Sequence, residues 1–214
     1  MKLPSETTNV ILCGVGGQGI LLAGRILAVA ALEAGLDVKK AEVHGMAQRG
    51  GSVITHVRFG ERVFSPLIAS HQAHFMLAFE PLEALRYLDF MSPDGTIFIN
   101  QQKILPQPVR VGKMAYPTGI VSKCKKRVHR LIAINATHNA ESIGDPRVAN
   151  LIFLGMLSRF LGFPESIWQK AIQACIPSTK QEINIRAFQF GRDFLMRRLS
   201  IPEKEIRGTY IITS

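Results

Sequence analysis

The stretch "NVILCGVGGQGILLAGRILAVAALEAG", Asn9 to Gly35, decides how the rest of the chain is read. Val10 to Cys13 is a short continuous apolar run ending in glycine, the pattern of a strand buried on both faces of a parallel sheet. Three glycines follow in the spacing G-x-G-x-x-G (Gly14, Gly16, Gly19). Apolar residues then recur at helical spacing (Ile20, Leu22, Ala23, Ile26, Leu27, Ala30, Ala31), and Gly35 stands just past Glu33 as a helix stop. "DVKKAEV" (Asp37–Val43) reads as a second strand. The unit strand, glycine loop, helix, strand has the length of a right-handed crossover. It predicts an α/β fold with a Rossmann-like, mostly parallel sheet.

Glycines at such a junction permit a tight turn and let a phosphate approach free N–H groups at the positive end of a helix. A dinucleotide site also wants an acid at the end of the second strand, and Glu42 stands roughly 20 residues past Gly19, as that fingerprint expects. A lone glycine fingerprint serves helix–strand packing or a subunit contact equally well. Both readings stay open on this loop alone.

Downstream, the βα rhythm breaks. "SVITHVRF" (Ser52–Phe59) alternates like a strand, Gly60 supplies a tight turn, and "RVFS" (Arg62–Ser65) reads as the return of an inserted β-hairpin. "HFMLAF" (His74–Phe79) is a core strand, and "EPLEALRYLDFM" opens a helix with Pro81 in its first turn. "SPDG" (Ser92–Gly95) reads as a turn before the strand "TIFIN". A proline-bearing connector follows, with "VRVGKMAY" as at most one short strand. "VHRLIAIN" (Val128–Asn135) reads as the last core strand, leading into a short helix. From Asp145 onward only helical patterns remain. One domain is expected over 1–214, with a βα portion over about 9–144 and a helical portion over about 145–200.

Composition narrows the function. The chain has 214 residues, 47% of them hydrophobic and 20% charged, which is ordinary for a globular protein. No apolar run reaches the ~20 residues a membrane span requires, and "MKLPSETTNV" lacks the apolar region of a signal peptide, so a cytoplasmic protein is expected. Cys13, Cys124 and Cys175 lie far apart with no C-x-x-C pair, which excludes a local zinc ribbon or iron–sulfur framework. His71 and His74 lack a third ligand nearby and read as turn or surface residues. The net charge of +10, dense in "KCKKRVHR" (Lys123–Arg130), attracts anionic partners. Without interleaved aromatic residues it does not read as a nucleic-acid platform.

"EVHGMAQRGGSVITHVRFG", which follows the second strand, is glycine-rich and dense in hydrogen-bonding side chains at the strand edge where open α/β sheets bind ligands. The pair "GVGGQG" and "MAQRGG", with "FEPLEALRYL", "DGTIFIN", "RVANLIFLGMLSRFLGFP" and "INIRAFQFG", resembles the gamma subunit or domain of 2-oxoacid:ferredoxin oxidoreductases, in particular those acting on indolepyruvate. The likeness extends over nearly the whole chain after Asn9. It implies an accessory subunit, without catalytic residues of its own, in an enzyme that oxidatively decarboxylates a 2-oxoacid to an acyl-CoA. Thiamine diphosphate, magnesium and the iron–sulfur clusters are implied on a larger partner subunit, with ferredoxin reached through the complex and CoA at the interface. Carried onto this chain, Gly14, Gly16, Gly17, Gln18 and Gly19 form the first family loop, and Met46, Gln48, Arg49, Gly50 and Gly51 the second. Arg49 has the fork geometry to hold a phosphate or an inter-subunit carboxylate. His74 departs from the acidic residue usual before its strand. The competing readings are a stand-alone NAD(P)- or FAD-binding reductase using the Gly14–Gly19 loop and Glu42, and a basic module for RNA or another polyanion.

Overall fold

The computed structural model of the chain describes residues 7–45, 50–199 and 210–213. In chain order the elements are β1 (Thr8–Val15), α1 (Ile20–Glu33), β2 (Asp37–His44), β3 (Ser52–Gly60), β4 (Ala73–Ala78), α2 (Pro81–Arg86) and β5 (Met91–Asn100). Then come α3 (Gln107–Arg110), α4 (Ile120–Lys125), β6 (Arg130–Ile134), α5 (Ala136–Ile143), α6 (Ala149–Leu161), α7 (Glu165–Cys175), α8 (Ser178–Leu199) and β7 (Tyr210–Thr213). The strands form one sheet in the order β2-β3-β1-β4-β5-β6-β7. From β1 to β7 every neighbour is parallel, while β3 runs antiparallel to both β1 and β2.

The apolar run of β1 is fully buried because the sheet is covered on both faces. Val10 and Leu12 join α1, α6, α7 and α8 in one core, with Leu77, Phe98 and Ile132 beside them. Ile11 and Cys13 point the other way, into a core shared with Met76, Ile97, Ile99 and Leu131 under α2 and α4. The period-2 alternation of a strand therefore serves two apolar faces at once. Trp168 and Phe188, ring centroids 5.4 Å apart, sit fully buried where α7 and α8 join the first of these cores.

Helices α6 and α8 cross on glycine. A Cβ on Gly155 would lie 2.0 Å from the Phe188 carbonyl oxygen, and one on Gly191 would lie 2.0 Å from that of Ile152. Both distances are far inside contact range, so the two backbones approach as closely as they do only because neither residue has a side chain. This crossing fixes α8 over the sheet, and with it Arg192, whose Nη1 donates to Ser158 Oγ at 2.8 Å.

Three readings of strand and turn are corrected. The antiparallel pair near residue 60 is not Ser52–Phe59 with "RVFS". Instead β3 inserts between β1 and β2 and pairs with both along its whole length. With both edges taken, β3 leaves no ladder for a return strand. Residues 61–72 run as a loop, held in part by the Val63 N–H donating to Asp37 Oδ2 at 2.8 Å. "SPDG" is not a turn before β5 but an irregularity inside it. Ala73 pairs with Met91 and Phe75 with Thr96, so the extra residues bulge out of the ladder. "VHRLIAIN" is not the last strand, because β7 adds in parallel to β6. Within the limit of at most one short strand, "VRVGKMAY" has none: the turn of α3 and a loop occupy that connector.

Candidate functional site

The carboxyl ends of β1 and β4, where connections leave the sheet in opposite directions, make the switch point at which open α/β folds place ligands. Here β1 ends at Val15 and the glycine loop turns at once into α1. Gly17 (φ 107°) and Gly19 (φ 76°) hold left-handed backbone that side-chain-bearing residues rarely adopt. Gly19 is also the N-cap of α1, and no side chain caps that end. The first-turn amides of a fourteen-residue helix therefore face this edge without an intrahelical partner.

Gln18 closes the switch point from within. Its Oε1 accepts from the Val15 N–H at 2.8 Å, and its Nε2 donates to the Phe79 carbonyl at 2.7 Å. One amide thus bridges the ends of β1 and β4 across the crevice where a dinucleotide would lie. Asn150, from α6, covers the next step by donating through Nδ2 to the Gly19 carbonyl at 3.2 Å. Beside this bridge lies a cavity of about 150 Å³ bordered by Gly17, Asn100, Gln102, Thr137 and Arg147. That is below the roughly 300–1,000 Å³ of sites that bury a whole cofactor. Its polar groups are largely committed to one another. Asn100 Nδ2 donates to Thr137 Oγ1 at 2.9 Å, and Thr137 Oγ1 donates to Gln102 Oε1 at 2.8 Å. Arg147 is forked onto Asp145, with its Nη2 2.6 Å from Oδ2, and this guanidinium holds the Asp145 carboxyl below its usual range. The residues present suit contact with one anionic group at the α1 end better than a bed for a nucleotide.

Glu42 does not serve a ribose. β3 lies between β1 and β2, so the acid is displaced by a further strand from the loop, and it is paired with Lys40 Nζ at 2.6 Å.

The two glycine-rich loops meet. Val15 pairs with Ser52 in the β1–β3 ladder, and beyond it the Gly16 N–H donates to the Gly51 carbonyl at 2.8 Å. The loop of Gly14, Gly16, Gly17, Gln18 and Gly19 therefore stands beside that of Gly50 and Gly51. Met46, Gln48 and Arg49 lie outside the described residues.

Behind the second loop is a buried acidic pair that the sequence reading did not single out. Glu80 caps α2 by accepting from the Glu83 N–H at 3.1 Å, and its other oxygen accepts from Tyr116 Oη at 2.6 Å. Glu83 accepts from Ser52 Oγ and from Arg86 Nε, while Tyr87 Oη lies 2.9 Å from the same serine hydroxyl. Burial and the Glu80 carboxylate push the Tyr116 phenol well above its usual range. Burial, then Glu83, Cys124 and Glu80, pushes the Cys13 thiol up; burial raises Cys124 to about 11. The "EPLE" start of α2, an acid before Pro and a second acid three residues on, was the signal that could have marked Glu80 and Glu83 as a helix-capping pair.

His74 Nδ1 accepts from the Asn9 N–H at 3.0 Å, which ties the amino ends of β1 and β4 together, and His71 lies against Arg127. Among the described residues no three His, Cys, Asp or Glu side chains gather as a metal site. Among them, too, no helix is long and apolar enough to cross a membrane.

A model of the pyruvate ferredoxin/flavodoxin oxidoreductase family matches residues 9–194. Among similar proteins is the indolepyruvate oxidoreductase subunit IorB of Thermococcus kodakarensis, 40% identical over 86% of this chain and 93% of that protein. Its namesake from Archaeoglobus fulgidus is 41% identical over 86% and 92%. More distantly similar is the 2-oxoglutarate synthase subunit KorC of Methanothermobacter marburgensis, 28% identical over 88% of this chain. Among solved structures, the gamma subunit of a keto/oxoacid ferredoxin oxidoreductase from Geobacter sulfurreducens shares the fold, with a TM-score of 0.67, 24% identity, and coverage of 89% of this chain and 99% of that one. The 2-oxoglutarate:ferredoxin oxidoreductase of Magnetococcus marinus, solved with 2-oxoglutarate, coenzyme A and succinyl-CoA bound, shares it over the whole of this chain and 34% of its own, with a TM-score of 0.70 and 18% identity. The glycine loops, the sheet and the length of the match agree, and the chain belongs to the pyruvate ferredoxin/flavodoxin oxidoreductase family.

Proposed function

We propose that this chain is the small accessory subunit of a thiamine-dependent 2-oxoacid:ferredoxin oxidoreductase whose 2-oxoacid is an aryl pyruvate of the indolepyruvate type. The complex would convert 2-oxoacid and CoA to acyl-CoA and carbon dioxide and pass two electrons to ferredoxin. Thiamine diphosphate with its magnesium, and the iron–sulfur clusters, belong in this reading to a larger partner subunit, and this chain supplies shape and electrostatics. The observation that carries the reading is the joining of the two glycine-rich loops through Gly16 and Gly51, with Gln18 filling the switch point behind them. Such an edge is stiff and donor-rich without room for a resident nucleotide. It suits pressing against a partner's cofactor site, with a CoA phosphate at the uncapped α1 end.

The test is co-expression with the larger subunit, followed by measurement of 2-oxoacid- and CoA-dependent ferredoxin reduction. Activity is expected in the complex and none from this chain alone; turnover without the partner would overturn the reading. Calorimetric titration of the chain with NAD, NADP and FAD should be flat, since the crevice they would need is closed by Gln18.

A further inference from the structure

The basic excess of the chain is concentrated in one place. Residues 101–130 contain eight Lys and Arg and no Asp or Glu, against a net charge of +10 for the whole protein. In the fold this segment forms the loop after β5, then α3 and α4, and crosses the α2 face from the carboxyl end of β5 to the amino end of the parallel β6. It encloses an open groove of about 540 Å³ bordered by Pro81, Leu105, Tyr116, Pro117, Ile120 and Val121. Leu105, Val111 and Met114, on the segment that makes one wall, are among the large apolar side chains left exposed. Lys103 borders the groove, Lys123 adjoins its Ser122, and Arg110 and Lys113 stand on the stretch between its Leu105 and Tyr116; all four are exposed, and none forms an ion pair with a described residue. Lys103 Nζ lies 5.4 Å from the centre of the Tyr116 ring. The nearest carboxylates, Glu80 and Glu83, are buried and bonded to Tyr116, Ser52 and Arg86.

An apolar floor inside a one-signed rim is the complement of a particular surface. We infer that this groove docks an acidic protein segment reversibly, with an apolar side chain of that partner inserted between Leu105 and Tyr116 and its carboxylates set against the lysine rim. Permanent subunit interfaces are depleted of charge at their centres. Unpaired like charges around an apolar anchor instead steer association and make it dissociable and salt-dependent. The floor argues against RNA, because Tyr116 is the one aromatic ring among the described residues that border it. The inference rests on this face alone and stands apart from the function proposed above.

The experiment uses the full chain, alone and bound to its larger subunit. The probe is a fluorescein-labelled amphipathic peptide of about 14 residues with glutamate on one face and Leu and Phe on the other. Anisotropy should report binding that weakens about tenfold between roughly 50 and 300 mM NaCl. Arg110→Glu/Lys113→Glu/Lys123→Glu should weaken it about tenfold or more and flatten the salt dependence. Leu105→Asp/Met114→Asp should weaken it comparably while keeping the salt slope. All five side chains are exposed, and unchanged thermal unfolding of the variants verifies the fold. The same peptide with lysine for glutamate should not bind. The inference is overturned if either set of substitutions leaves binding unchanged. It is equally overturned if an oligouridylate binds as tightly and ignores Leu105→Asp/Met114→Asp, if the groove is covered by a second copy in a stable dimer, or if the larger subunit blocks the peptide permanently.

Discussion

Gln18 Nε2 lies 2.7 Å from the Phe79 carbonyl, so a side chain of the glycine loop is bonded to the end of the neighbouring parallel strand. The same amide holds the Val15 N–H. A loop that looks like a nucleotide cradle in one dimension is braced shut in three. Gln18→Ala should strand a strand-end N–H and a carbonyl together, costing about 2–3 kcal/mol. That corresponds to a fall in Tm of roughly 4–12 °C for a chain of this size. Gln18→Glu should do no better, since it keeps the acceptor for Val15 but sets an anion against the Phe79 carbonyl. Differential scanning fluorimetry of the two variants checks both expectations, and a wild-type Tm in either would remove the bracing role.

The glycine crossing of α6 and α8 makes a sharper prediction. A methyl on Gly155 or Gly191 would meet a backbone carbonyl oxygen at 2.0 Å, and a backbone cannot swing aside as a flexible side chain can. Gly155→Ala or Gly191→Ala should each cost about 3 kcal/mol or more in urea unfolding. The double variant should cost clearly less than the sum, because the first methyl already parts the helices for the second.

Ser52 and Glu83 should behave as a coupled unit. Glu83→Gln keeps the shape but removes the charge that accepts from Ser52 and Arg86, and should cost about 2 kcal/mol. Combined with Ser52→Ala, the loss should fall short of additivity by about 1–2 kcal/mol. A double-mutant cycle in urea measures this directly. Additive losses would mean that Glu83 does not anchor the second loop's strand through the serine.

His56 supplies the pH dependence. It is buried on β3, its Nδ1 accepts from the Ile68 N–H at 3.3 Å, and its ring meets the edge of Phe90. Burial, then the charge of Arg58, depresses its pKa below the usual 6.5. The unfolded chain therefore binds more protons than the folded one just below that value. Stability should be complete above pH 6.5, decline as pH falls below it, and level off under the folded pKa. The carboxyls of Asp37 and Asp145, held low by Lys39 and by Arg147 respectively, contribute their own loss only at more acidic pH. His56→Asn keeps an acceptor for Ile68 and cannot titrate, so unfolding followed between roughly pH 5 and 7 should lose this slope.

Much of the molecule is legible without coordinates. The unbroken apolar run Val10–Cys13 announces a strand covered on both faces, and the positions it predicts as core are fully buried. The helical spacing after Gly19, the stop at Gly35 and the proline starts of α2 and α7 are local signals, set by backbone sterics and capping, and local physics obeys them. The two glycine loops were recognisable as a pair from their residues alone. What sequence could not decide was pairing. "RVFS" alternates well enough for a strand, yet β3 has no edge left for it once β1 and β2 flank it, and β7 forms only because β6 offers one. Register and strand order depend on which edges remain free, and that is a property of the assembled sheet. Gln18 makes the same point at the site. Its position in the loop is written in the chain, but its role is fixed by Phe79, about sixty residues away, because a side-chain amide closes a crevice only when folding brings both strand ends within hydrogen-bond reach.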